Sequence, residues 1–276
     1  MQLRFSKMHG LGNDFMVVDM ITQRGRLKPQ QIQQLSDRNT GIGFDQLLLI
    51  ETPSSPDVDF RYRIYNADGS EVENCGNGAR CFARFVHNQR LTGKRDISVE
   101  TNNGRMVLHM LDNNQVKVDM GRPLFTPAEI PFIAEQQDTH YKIEQDGQVY
   151  IMGTVSMGNP HGVLMVDDVE QAPVTQLGSK LTKHERFPQQ ANIGFMQIID
   201  ANTIKLRVFE RGVGETKACG TGACAAVASG IAQGLLAADV KVHLRGGDLQ
   251  IQWQGEDQSL YMTGTATHVY EGQIRL

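Results

Sequence analysis

The sequence predicts an α/β fold of two pseudo-symmetric lobes, each a strand-rich mixed sheet or barrel wrapped around a central helix. Three observations predict it. A cysteine–glycine motif occurs twice, an alternating strand precedes each copy, and a helical pattern follows each. The copies are Glu71-Val72-Glu73-Asn74-Cys75-Gly76-Asn77-Gly78-Ala79 and Glu215-Thr216-Lys217-Ala218-Cys219-Gly220-Thr221-Gly222-Ala223, which sets the cysteines 144 positions apart. Repetition at a fixed offset is the mark of a duplicated structural unit.

The offset of 144 holds upstream, where Arg63-Ile64-Tyr65-Asn66 lies over Arg207-Val208-Phe209-Glu210. Phe60, Tyr62 and Ile64 alternate with Arg61 and Arg63, and Ile204, Leu206 and Val208 alternate with Lys205 and Arg207. Both are period-two strands with one buried face, and their charged residues read as solvated. Two looser echoes lie further out. Gly12-Asn13-Asp14-Phe15 resembles Gly158-Asn159-Pro160-His161 at an offset of 146, and Gly41-Ile42-Gly43-Phe44 resembles Asn192-Ile193-Gly194-Phe195 at 151.

Downstream, Ala79, Phe82, Ala83 and Val86 fall on one helical face, and that helix is expected to end near Gly93. Residues 223–232 are almost all small or apolar, so the second helix is expected to be buried all round and to end near Gly234. Paired strand patterns flank turn residues at 107–120, 141–156 and 241–253. The turn formers Gly121-Arg122-Pro123 mark the boundary. The expected lobes are 1–120, carrying Cys75, and 121–264, carrying Cys219. The terminal strand within 265–276 fits either lobe and is able to complete the first.

The 276 residues suit one large or two modest domains at about 150 residues each. Hydrophobic residues at 40% supply a core, and a net charge of −4 without a basic block gives no footprint for nucleic acid. Residues 1–7 lack an apolar leader, and no stretch approaches the roughly 18 apolar residues of a membrane helix. A soluble, cytoplasmic protein with no membrane association is expected. Its four cysteines, at 75, 81, 219 and 224, are then thiols, and none forms a C-x-x-C pair.

A cysteine between strand and helix sits where backbone N–H groups are unpaired and the helix dipole favours negative charge. Its thiolate is stabilised there, and flanking glycines let the same backbone donors approach a carboxylate. Two such loops give two thiols for one stereocentre, one to remove a proton and one to deliver it from the opposite face. Like charges at short range oppose double ionisation, so the pair is expected to hold one thiolate and one thiol. Cys75 and Cys219 are therefore the candidate catalytic residues. Cys81 and Cys224, deeper in the helices, read as buried packing groups. No Walker loop or zinc motif is present, so neither metal nor cofactor is expected, although sequence pattern alone does not exclude pyridoxal phosphate.

With these motifs, the chain resembles the diaminopimelate epimerase family over essentially its whole length. The likeness rests on the two cysteine loops, on 7–15, on Gly43-Phe44-Asp45-Gln46, on 65–70, on Gly158-Asn159-Pro160-His161 and on 209–216. It implies a family-type fold of two similar lobes, usually a homodimer. It also implies cofactor-independent conversion of LL- to meso-2,6-diaminopimelate, a step toward lysine and peptidoglycan. By likeness, Gly76-Asn77 and Gly220-Thr221 hold the reacting carboxylate, and Asn13, Gln46, Asn66, Asn159, Asn192, Glu210 and Arg211 make the remaining substrate contacts. His161 and Glu210 match positions that adjust the cysteines, and Tyr270 matches a dimer contact. The equivalence of Asn13 and Asn159 across the repeat supports those two independently. Arg211 suits a distal carboxylate and Glu210 an ammonium. The competing readings are a proline or hydroxyproline racemase, a thiol-based redox or metal-binding switch, and a non-catalytic diamino-acid binder.

Overall fold

A computed structural model of the chain describes residues 2–72, 75–102 and 104–276. Glu73 and Asn74 of the first cysteine motif therefore lie outside the described residues. The chain divides into two compact units, 1–119 with 263–276, and 120–262. Each is a mixed sheet packed on one long helix, which makes the protein α/β.

The first unit runs β1 (Gln2–Gly10), β2 (Asn13–Asp19), α1 (Pro29–Ser36), β3 (Gln46–Glu51), β4 (Phe60–Asn66), β5 (Glu71–Val72), α2 (Gly76–Asn88), β6 (Asp96–Thr101), β7 (Gly104–Met110) and β8 (Gln115–Asp119). The second runs β9 (Tyr141–Gln145), β10 (Gln148–Ser156), β11 (Pro160–Met165), α3 (Val174–Leu181), β12 (Asn192–Asp200), β13 (Thr203–Glu210), β14 (Gly214–Thr216), α4 (Gly220–Ala232), β15 (Asp239–Leu244) and β16 (Gly247–Gln252). β17 (Tyr261–Thr265) crosses the division, and β18 (Thr267–Arg275) returns to the first unit.

Pairing repeats along with element order. β2 runs parallel to β3 and β4 parallel to β6 in one unit; β11 runs parallel to β12 and β13 parallel to β15 in the other. β1 runs antiparallel to both β2 and β18. The short helices α1 and α3 also match, each covering its own cluster: Ile32 and Leu35 against Leu3, Met16 and Val18, and Val174 and Leu181 against Ile143, Phe187 and Phe195.

The long helices follow from their composition. α2 buries Ala79, Phe82, Ala83 and Val86 as its pattern requires, together with its first turn, Arg80, Cys81 and Phe85; in α4 the alanine-rich run has high helix propensity, and there too ten residues are buried. Cys81 and Cys224 are fully buried within them. The first helix ends at Asn88 rather than near Gly93, because Arg90 takes φ 55° and the Leu91 N–H turns back to Val86 O at 2.9 Å. Gly234, at φ 71°, closes α4 in the same way, with Leu235 N–H on Gly230 O at 2.9 Å.

Candidate active site

Each cysteine is the N-cap of its long helix, in extended backbone, and its sulfur accepts the N–H two residues into the first turn. Cys75 Sγ lies 3.5 Å from Gly78 N, and Cys219 Sγ lies 3.4 Å from Gly222 N. Close approach disfavours a Cβ at both glycines, more strongly at Gly78 than at Gly222. A Cβ on Gly78 would stand 2.4 Å from Tyr62 Oη, and one on Gly222 would stand 3.2 Å from Cys219 Sγ. Gly76 and Gly220 begin the helices, with Asn77 and Thr221 in their first turns.

In the first unit, Asn13 opens β2, Gln46 opens β3 and Asn66 closes β4. Register sets Gln46 beside Phe15 and opposite Asn66, and the Gln46 amide donates to Asn66 Oδ1 at 3.0 Å. Cys75 Sγ–H lies 3.7 Å from Asn13 Oδ1, which also accepts from Asn77 Nδ2 at 3.3 Å. The structure thus gathers Asn13, Cys75 and Asn77, with Gln46 and Asn66 paired to one another at the ends of their strands.

The second unit differs at the same positions. Asn159 precedes β11, in which His161 is buried; Asn192 opens β12 and Glu210 closes β13. His161 Nε2 lies 3.0 Å from Asn159 Oδ1. Burial, reinforced by the nearby Arg211 cation, pushes the imidazole from its usual 6.5 down to about 3, so it is neutral. Asn192 Oδ1 accepts the Arg211 N–H at 2.9 Å, while the exposed Arg211 guanidinium donates to Gln189 O. Cys219 Sγ–H donates to Glu210 Oε2 at 3.2 Å, and Thr221 Oγ1 lies 3.6 Å from the same sulfur. Thr216 Oγ1 holds the other Glu210 oxygen at 2.5 Å. Burial, then the Glu210 carboxylate, pushes the Cys219 thiol well above its ordinary value. The sulfur is held as a thiol.

Register corrects one of the sequence echoes. His161 pairs with Asn192 as Phe15 pairs with Gln46, so Asn192 is the counterpart of Gln46. Gly41-Ile42-Gly43-Phe44 instead lies in the loop before β3, so the similarity at offset 151 is not a structural equivalence. The echo at 146 is one, since Gly12 and Gly158 share φ values of 87° and 85°.

The charged strand residues need a second correction. Arg207 is 9% exposed and not solvated. Its guanidinium grips Glu215 through two bonds of 2.7 and 2.9 Å and donates to Val169 O at 2.9 Å. Arg63 grips Glu71 in the same way, at 2.7 Å twice. Each pair staples the strand leading to a cysteine loop to the strand leaving the turn. Alternation hid this role, but a glutamate at the same repeat offset on the facing strand was a legible signal. Tyr270 lies on β18, exposed, with its ring edge-on to Phe5.

Comparison with known proteins agrees with this architecture. The family model described as diaminopimelate epimerase matches residues 5–126 and 153–269. A diaminopimelate epimerase of Pseudomonas aeruginosa is 60% identical over 276 residues, covering all of both chains. That of Pseudomonas entomophila is 59% identical with the same coverage. Among solved structures, a probable proline racemase from Agrobacterium radiobacter K84 shares the fold with a TM-score of 0.72 at 15% identity, covering 99% of this chain and 93% of that one. With both halves matched by the family model and full-length relatives this similar, the chain belongs to the diaminopimelate epimerase family.

Proposed function

We propose that this chain is an isomerase that interconverts LL- and meso-2,6-diaminopimelate without a cofactor, using Cys75 and Cys219 as a two-base pair. The observation that carries this reading is the duplicated N-cap cysteine, with the Glu210 carboxylate set against the sulfur of Cys219. Glu210 keeps Cys219 protonated, which suits it to deliver a proton, and leaves Cys75 to remove one; the roles exchange in the reverse direction. The first-turn N–H groups at Gly76-Asn77 and Gly220-Thr221 suit the reacting carboxylate. Asn13, Gln46, Asn66, Asn159 and Asn192 supply neutral donors and acceptors, Arg211 the distal carboxylate's partner and Glu210 an ammonium's. A buried, neutral His161 acts by packing and by its bond to Asn159 rather than as a charge.

We assign the two units as homologous lobes, each bringing one cysteine. A cytoplasmic homodimer completes the reading. It is supported by exposed Val269 and Tyr270 on β18, and no helix among the described residues is long and apolar enough to cross a membrane. The test is the reduced protein with LL-diaminopimelate in heavy water. Solvent deuterium should enter at the inverted carbon, and Cys75→Ala and Cys219→Ala should each lower inversion by at least about a thousandfold without loss of fold. Inversion with the original proton retained, or activity on proline but not diaminopimelate, would reject the assignment.

A further inference from the structure

The first cysteine loop contains a line of amides closed by a charge at each end. Asn13 Nδ2 donates to Asp45 Oδ2 at 3.0 Å, and the other oxygen of Asp45 is held by Arg38 at 2.8 Å. Asn13 Oδ1 accepts from Asn77 Nδ2 at 3.3 Å, and Asn77 Oδ1 accepts from Arg80 Nη2 at 2.8 Å. Arg80 is fully buried and also donates to Gly76 O and Thr265 O, at 3.4 and 3.2 Å. A carboxylate can only accept and a guanidinium can only donate. The two ends therefore dictate the direction of both amides between them, and Asn13 is left with its oxygen toward Cys75, 3.7 Å from the sulfur.

We propose that Asp45 and Arg80 are positioning residues that lock the Asn13 and Asn77 amides, and so decide which Asn13 atom faces Cys75. This rests on the reading of Cys75 as a reacting group. An oxygen at that place accepts the S–H and opposes the thiolate; an amide N–H there would do the reverse. The same oxygen accepts an ammonium. The lock thus ties loss of the Cys75 proton to arrival of a cationic substrate that takes over the Asn13 oxygen. The second unit carries Ala191 and Cys224 at the corresponding positions and sets its cysteine against a carboxylate instead.

The experiment is iodoacetamide alkylation of Cys75 in the full chain across pH, read from the mass of its peptide. Each end holds the pair through the amide–amide bond, so the two ends act non-additively. Asp45→Ala alone should lower the pH midpoint slightly. Asp45→Ala with Arg80→Met should lower it by roughly one unit, the size of one charge-assisted hydrogen bond. Asp45→Ala lowers the midpoint partly by removing an anion, and the added loss of the Arg80 cation without a lock would move it back upward, so a further fall in the double variant is diagnostic. Asp45→Asn and Arg80→Lys, which keep an acceptor and a donor, should stay near wild type. If Arg80→Met does not fold, Asp45→Ala with Asn77→Ala frees Asn13 from both sides and should give the same downward shift. A folded double variant with an unchanged or raised midpoint would overturn the proposal. If the midpoints move as expected while the wild type inverts no diaminopimelate, the lock stands and the functional reading fails.

Discussion

The two cysteine loops share backbone, cap and glycines, yet differ in what faces the sulfur. Cys75 meets the oxygen of an amide whose direction is set by distant charges; Cys219 meets the Glu210 carboxylate directly. The frame repeats while its strand ends differ: Asn66 closes β4 where Glu210 closes β13. In the proposed two-base reading, the repeated frame supplies the geometry and the neighbours distinguish the proton donor from the proton acceptor.

Glu210→Gln strikes at that distinction. Without the carboxylate, Cys219 should alkylate at lower pH, and inversion should fall by about 10²- to 10³-fold, the usual worth of a general acid or base. Kinetics and alkylation across pH check both, and an unchanged Cys219 profile would remove the carboxylate from the account.

The two arginine staples should separate next. Arg207→Met leaves the largely buried Glu215 with Arg245 as a cation partner and should cost about 2–3 kcal/mol, the worth of hydrogen bonds to a charged group. Arg63→Met faces a pair that is 27% exposed on both sides and should cost about 1 kcal/mol. Denaturant unfolding of both variants measures the gap, and equal losses would make the staples equivalent.

His161 has Phe15 as its counterpart, so titration there belongs to the second unit alone. Its folded pKa lies below the unfolded one, and the unfolded chain therefore binds the extra proton between about 6.5 and about 3. Stability should fall as pH drops through that window, and His161→Gln should flatten this part of the curve in denaturant titrations. Glu215 pulls in the same direction at lower pH. The Arg207 bond holds its carboxyl below the usual range, so its contribution is present above the unfolded value and lost as pH falls through the folded one.

The smallest effect concerns the helix ends. Arg90 adopts the left-handed conformation that Gly234 adopts at no steric cost. Arg90→Gly should raise stability by about 0.5–1 kcal/mol, and a thermal melt with no gain would mean that the Arg90 side chain offsets its own strain.

These contrasts also explain what the sequence disclosed. The long helices and the strands before them were legible because buried alanines, Phe82 and the Phe60–Tyr62–Ile64 alternation carry a strong period. The first helical turns were not, since Gly76-Asn77-Gly78 has no apolar side chain to register. The helix α1 escaped notice because only Ile32 and Leu35 mark its face among glutamines. The cysteine loops were legible as a repeat, and the matching of Asn192 to Gln46 was not, since only hydrogen-bond register fixes it. Asp45 and Arg80 lie within or beside the motifs that carry the resemblance, yet nothing in the sequence gives them a role; their work lies in directing amides, which no spacing encodes.

The pairing of β18 with β1, from Gln2↔Arg275 to His9↔Thr267, bears on how the chain is made. β1 is synthesised long before β18, so it waits, with one edge bare, until that neighbour emerges. The uninterrupted segment 120–262 faces no such delay. The unit that emerges second is the one able to fold first, and the Cys75 unit is completed only once β18 has joined it.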